Sequence, residues 1–193
     1  MPAFFARPRA ALAAFARARR GATAVEFAFV SIPFLILLFG ILELGAVFMV
    51  STSLEDATDR AARQIRTGEF QSSGATAKTD FVNLVCSRMT WLSTSCAANL
   101  SVDVRTFANF TAASQAQTIT GANFNKNSTC WATGQPTDIV LVRTFYEWKL
   151  FTPMLNNALV NMGNNKRLIG AVATFRNEPY NNNNPAGAAT CPS

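Results

Sequence analysis

The chain has 193 residues, 49% of them apolar, with a formal charge of +6 and no histidine. Five of its 17 basic residues, Arg7, Arg9, Arg17, Arg19 and Arg20, fall within the first twenty positions, which leaves 12 bases against 11 acids in the rest. A nucleic-acid surface needs bases clustered on a folded face, and Ser–His or Cys–His catalysis needs histidine, so this composition argues against both.

Residues 1–21 form a basic, alanine-rich leader. Next, Phe27 to Val50, "FAFVSIPFLILLFGILELGAVFMV", carries a single charge, Glu43. As a helix this run spans about 36 Å, enough for a ~30 Å hydrocarbon layer with some tilt. A buried helix of a soluble protein is the alternative, and the length disfavours it. A cleavable secretory signal also fits poorly, because the apolar run exceeds the usual h-region. The arginines ahead of the run favour an N-terminus kept in the cytoplasm, with everything after Val50 across the bilayer. Within the span, Pro33 removes one helical hydrogen bond, and Gly40 and Gly45 permit close approach of a neighbouring helix. Glu43 lies about 25 Å beyond Glu26 along the helix, near the far headgroup layer. Interfacial solvation is the simplest expectation for it, and contact with a partner helix is the functional one.

After Ser51 the pattern becomes amphipathic, with Leu54, Ala57, Ala61 and Ile65 on one side at helical spacing. Asp56 with Arg60, and Asp59 with Arg63, form i,i+4 pairs in the favourable order. Gly68 reads as a C-cap. "QSSGATAKT", Gln71 to Thr79, separates this stalk from a distal domain. A helix follows around Asp80 to Leu92, with Phe81, Leu84, Val85 and Met89 as its apolar face. Strands are expected at Asn99 to Phe107, Thr137 to Leu150 and Lys166 to Asn177, the second being the richest in β-branched and aromatic residues. Between them Ala122 to Gln135 is polar and turn-rich, and "NNNNPAGAATCPS" is a low-complexity tail. The fold class is α+β: a transmembrane helix extending into a stalk, then a small domain with about three antiparallel strands and a packed helix. The boundaries expected are 1–21, 22–70 and 71–193.

Cys86, Cys96, Cys130 and Cys191 all follow the span, as disulfide partners in an oxidising compartment do. Cys86 and Cys96 close a short loop and make the favoured pair, which leaves Cys130 to tie down Cys191. With no histidine and no C-x-x-C spacing, neither a metal site nor a cofactor is expected. The carboxylates available for acid–base chemistry, Asp80, Asp103, Asp138, Glu147 and Glu178, are scattered, so no catalytic residues and no enzyme are expected. Trp91, Trp131, Tyr146 and Trp148 suggest either core packing or an adhesive, glycan-binding face.

Gly21, four residues, then Glu26 and an apolar helix resembles the prepilin-peptidase site of the type IV pilin superfamily. More narrowly, "RRGATAVEFAFVSIPFLILLFGILELG" is similar to the membrane segment of TadE-like proteins of tight-adherence (Tad, Flp) pilus systems. "AARQIRTG" and "FRNEPY" also look like elements of that family. The resemblance implies a minor pilin or pseudopilin, cleaved after Gly21 by a prepilin peptidase so that Ala22 becomes the mature N-terminus. It further implies that Glu26 accepts the amine of an adjacent subunit and sets axial register, and that the helix packs with other minor pilins and pilus assembly proteins. Physics agrees that an unpaired amine or carboxylate near the apolar layer is unfavourable by several kcal/mol, so the two have reason to pair. The expected location is a bacterial inner membrane, single-pass, N-terminus cytoplasmic and C-terminal domain periplasmic, with the lipid bilayer as a partner. The competing reading is an uncleaved membrane-anchored binding or adhesive module.

Overall fold

A computed structural model of the protein describes residues 21–74, 77–152, 156–181 and Cys191. The arginines of the leader and most of the asparagine-rich tail lie outside the described residues. The chain divides into two compact units, Met1–Leu42 and Glu43–Ser193.

One helix, α1, runs unbroken from Ala22 to Arg66 and contains Pro33. In the first unit its large apolar side chains, Phe27, Phe29, Val30, Ile32 and Phe34 among them, are exposed. At 100° per residue those positions point to every side, so no polar face remains. A helix apolar all round belongs in a core or in lipid, and this one is long and apolar enough to cross a membrane with none of its most apolar window buried. It has the length and composition of a membrane span.

From Glu43 onward the same helix changes character. Val50, Leu54, Ala57, Thr58, Ala61 and Ile65 are buried at spacings of three and four, while Glu55, Asp56, Asp59 and Arg60 stay in solvent. Of the two expected ion pairs, Arg60–Asp56 closes at 2.8 Å. The buried stripe packs on a three-stranded antiparallel sheet of order β1-β2-β3, with β1 Leu100–Phe107, β2 Ile139–Lys149 and β3 Lys166–Arg176. Register sets Val102 opposite Thr144 and Thr144 opposite Ala171, so Val104, Val142, Tyr146 and Ile169 share the face that joins the helix in one core. Across that interface the Thr58 and Thr144 hydroxyls pair at 2.6 Å, satisfying two buried polar groups that would otherwise be costly. All three strands were expected where they occur, within two residues at each end. The compact unit begins at Glu43, so the second half of α1 is part of the distal core. Amphipathic periodicity locates an apolar face but not its partner, and here the partner is the domain's own sheet.

The rest of the core closes on this frame. α2 (Glu69–Ser72) and α3 (Lys78–Arg88) bring Phe70 and Phe81 together edge to face at 5.8 Å, and Trp131 packs against both. Gln71 is buried within the turn of α2, so the expected polar spacer starts inside the packed unit. α4 (Ser93–Asn99) follows, and the Cys86–Cys96 disulfide joins α3 to it. Cys130–Cys191 is the second disulfide, as expected.

On the opposite face, the short helix Phe110–Ser114 and irregular chain cover β1 and β2, while Val172 and Thr174 of β3 stay exposed. Arg143 reaches out of β2 to the buried Asp103 carboxylate and to the carbonyl of Gln117 at 2.7 Å. Asp103 also accepts the Cys130 amide at 2.7 Å, which fastens that loop against β1 beside the Val104–Trp131 bridge. Glu147 sits between Lys126 at 2.7 Å and Lys166 at 2.6 Å. Burial pushes its carboxyl up, but hydrogen bonds and charge from the two ammonium groups outweigh this and leave its pKa below the ordinary carboxylate value.

Leu54 has no exposed surface, and Leu54→Ala is expected to destabilise the domain by about 2–5 kcal/mol. Denaturant unfolding of the full chain in detergent micelles checks this, with solvent-facing Asp56→Ala shifting the midpoint little. Because folding lowers the pKa of Glu147, its contribution is fully present above the unfolded carboxylate pKa of about 4 and is lost as pH falls below it. Glu147→Gln is therefore expected to lower stability by a constant amount above that pH and to flatten the acid limb, so that the two stability–pH profiles converge as pH falls.

Candidate processing and assembly site

Gly21 stands immediately ahead of α1 and is exposed, and a side chain added there would meet nothing within 4 Å. An uncrowded backbone of that kind suits a protease that takes the chain extended. Glu26 follows one turn into the helix and is also exposed, a carboxylate standing among Val25, Phe27, Phe29 and Val30. Pro33 and Gly40 lie further along the same helix. Gly45 faces open space, with nothing within 4 Å of an added Cβ. Its backbone is thus available to a neighbour and is not used by the domain.

Glu43 is placed differently from the expectation. It is completely buried, and its carboxylate accepts the amides of Phe151 at 3.0 Å and Thr152 at 2.9 Å and the Trp148 indole N–H at 3.4 Å. Neither interfacial water nor a partner helix solvates it. The three donors come from residues 105 to 109 positions away, at and just past the end of β2. That distance in sequence is why local reasoning about the helix missed them.

"AARQIRTG" and "FRNEPY" meet in space. The Arg66 guanidinium donates to Glu178 through Nε at 3.0 Å and Nη2 at 2.9 Å, and the Glu178 amide donates to the Arg66 carbonyl at 2.8 Å. Gly68 ends this corner with φ at +74°, and the Tyr180 ring lies over it where a Cβ would stand. Gln71 then donates to the Tyr180 hydroxyl at 3.2 Å. Burial, followed by the charge of Asp138, raises the Tyr180 pKa and keeps that hydroxyl neutral. The two motifs form one joint that holds the end of α1 to the chain leaving β3.

The remaining candidates have structural partners. Asp80 accepts the Ala77 amide at 3.1 Å, and Asp138 accepts that of Gln135 at 2.8 Å. Asp103, Glu147 and Glu178 are held by the cations described above. Trp131 and Tyr146 are core residues, and Trp148 is partly buried, so Trp91 alone of the four aromatics suggested for a glycan face is exposed. A cleft of about 450 Å³ is lined by Arg105, Gln117, Asn123 and Arg143 among others. Both guanidinium groups in it already serve Asp103.

The comparison with known families turns on α1. A family model described as TadE-like protein matches residues 21–63. This stretch is TadE-like. The match begins at Gly21, takes in Glu26, Pro33, Gly40, Glu43 and Gly45, and ends three residues before the helix does. It covers the apolar half of α1 and the buried stripe as far as Ala61 while leaving the sheet outside. No curated protein and no solved structure matches the chain.

Two glycines of this region respond oppositely to a methyl group. Gly68→Ala places a β-carbon on the Tyr180 ring in a left-handed backbone and is expected to cost at least about 1–2 kcal/mol. Gly45→Ala adds it in open space in a helix interior and is expected to stabilise the isolated chain by roughly 0.5–1 kcal/mol. Paired unfolding measurements check both signs. Loss of pili with the stable Gly45→Ala chain would locate a subunit contact at that position.

Proposed function

We propose that the protein is a minor pilin or pseudopilin of a Tad pilus, made as a precursor and cleaved after Gly21. The observation that carries this reading is Gly21, four residues, then Glu26, at the head of an exposed apolar helix whose TadE-like match starts at Gly21. Prepilin peptidase removes the arginine-rich leader from the cytoplasmic side of the inner membrane and frees the Ala22 amine. Glu26 offers that amine a carboxylate, and pairing between adjacent subunits neutralises two charges that are expensive near hydrocarbon while fixing their axial offset. The apolar helix then packs with those of other minor pilins, with Pro33, Gly40 and Gly45 admitting close approach. The domain from Glu43 onward stands in the periplasm, where its disulfides form. Its work is structural, with no substrate to turn over. Trp131 and Tyr146 are buried in the core, so of the four aromatics on which a glycan-binding alternative would draw only Trp91 and part of Trp148 stay at the surface.

Intact mass and N-terminal sequence of the protein from native membranes test the reading. The expected result is a chain starting at Ala22 in the wild type, and a full-length chain with Gly21→Ala or without the peptidase. A full-length chain in every strain would leave a plain anchored protein and remove the special role of Glu26.

A further inference from the structure

The end of the domain that Glu43 holds carries a surface that the pilin reading does not use. Phe151 is 55% exposed although its amide is bound to the Glu43 carboxylate. On the helix at the same level, Leu44 and Phe48 are also exposed, Phe48 at 71%. Trp148 donates to Glu43, and Trp91, exposed, lies 6.4 Å from it ring to ring while its indole N–H donates to Ser53. Lys149 ends β2 on the same edge and is exposed.

Depth follows from the helix. Phe48 is five residues beyond Glu43, about 8 Å further from the start of the span, and it is still a bare apolar side chain. The uninterrupted apolar run ends only at Val50, and Ser51, Thr52 and Ser53 follow. If lipid covers the helix as far as Phe48, Glu43 lies below the membrane surface, and Phe151 lies there with it. Buried amides and a carboxylate are each intolerable in hydrocarbon unless paired, and here they pair with one another. Two tryptophans and a lysine next along the same surface have the composition of a membrane interface.

We infer that the chain after β2, Leu150–Thr152, is a second membrane foot: Phe151 inserts among the lipid acyl chains beside α1, Glu43 satisfies its backbone, and Trp91 and Lys149 lie at the headgroups. The occupant of the surface is bilayer lipid, because the Phe151 amide is fastened to Glu43 within the apolar run of α1, which ends only at Val50. The inference rests on the reading that α1 spans a membrane.

The full chain, with its disulfides formed, is reconstituted in phosphatidylcholine–phosphatidylglycerol vesicles carrying a nitrobenzoxadiazole label at Phe151→Cys, Val172→Cys or Leu38→Cys. Val172 is an exposed position of β3, and Leu38 is an exposed position of the span. The expected result is that iodide quenches the label at 151 several-fold less than at 172, and that doxyl-lipid quenches it as it does the label at 38. A label at 151 as open to iodide as that at 172, with 38 still shielded, overturns the foot and leaves the span standing. Labels at 38 and 151 both open to iodide overturn the two together. Shielding of 151 in native membranes but not in vesicles overturns the lipid assignment and gives the surface to a protein partner. The unlabelled chain needs no substitution: brominated lipid is expected to quench its tryptophan emission, and the absence of that quenching counts against the foot.

Discussion

The contact on which the structure depends is the seam between the second half of α1 and the inner face of the sheet. A three-stranded sheet is near the lower limit of independent stability and needs a cover for its apolar face. Val50, Leu54, Ala57, Ala61 and Ile65 supply that cover, and the Thr58–Thr144 pair settles the polar groups caught between the layers. One uninterrupted helix thus changes from apolar on every side along its first part to a stripe buried in protein along its second, with the change made by side chains alone. Removing the helix to isolate a distal domain would uncover Val102, Val142 and Tyr146, so the anchor segment and the folded unit are not separable pieces.

Charges fix the ends of this seam. At one end Glu43 gathers two amides and an indole from beyond β2; at the other, Arg66 and Glu178 join the helix terminus to the segment that leaves β3. The two contacts differ in kind. Glu43 is fully buried, so removing its acceptor would strand donors away from water, the costly case for a hydrogen bond. Arg66 and Glu178 are half exposed, where an ion pair contributes little by itself. That joint owes more to the Glu178 amide on the Arg66 carbonyl and to Tyr180 closing over Gly68 than to the charges.

Much of this was legible in the sequence, and the parts that were not share a cause. Alternation in "NLSVDVRTF" and the β-branched run of β2 mark strands through local periodicity. The three- and four-residue spacing from Leu54 to Ile65 marks a buried stripe, and a sequence separation of ten between Cys86 and Cys96 marks a pair. Each of these signals is local. What was missed is contact over long sequence separations: Glu43 with Phe151, Thr58 with Thr144, Asp103 with Arg143. β2 also hid its second face, because Leu141, Arg143, Phe145 and Glu147 are as buried as the core side. An arginine and a glutamate in alternation read as solvent positions until the loops that cover them are known. Apolar spacing likewise shows that the helix buries a side, while leaving open whether the cover is a partner subunit or the chain's own sheet. The motifs "AARQIRTG" and "FRNEPY" were recognisable by resemblance, but nothing in either predicts that they touch.

The seam also limits how the helix can serve assembly. Beyond Glu43 the side carrying Val50, Leu54, Ala57, Ala61 and Ile65 is committed to the sheet, so another subunit can reach only the opposite stripe. That stripe passes through Gly45, Phe48 and Met49 and then becomes Thr52, Glu55, Asp56 and Asp59, all exposed. Apolar helix–helix packing between subunits is therefore confined to the part of α1 before Thr52, and anything beyond it must be polar. The same boundary follows from lipid, which requires an apolar surface up to the same point and tolerates water after it. The TadE-like match runs across both regions, to residue 63. In its first half the helix is apolar and exposed on every side, whereas in its second half a family-like pattern is constrained by a sheet that the match does not include.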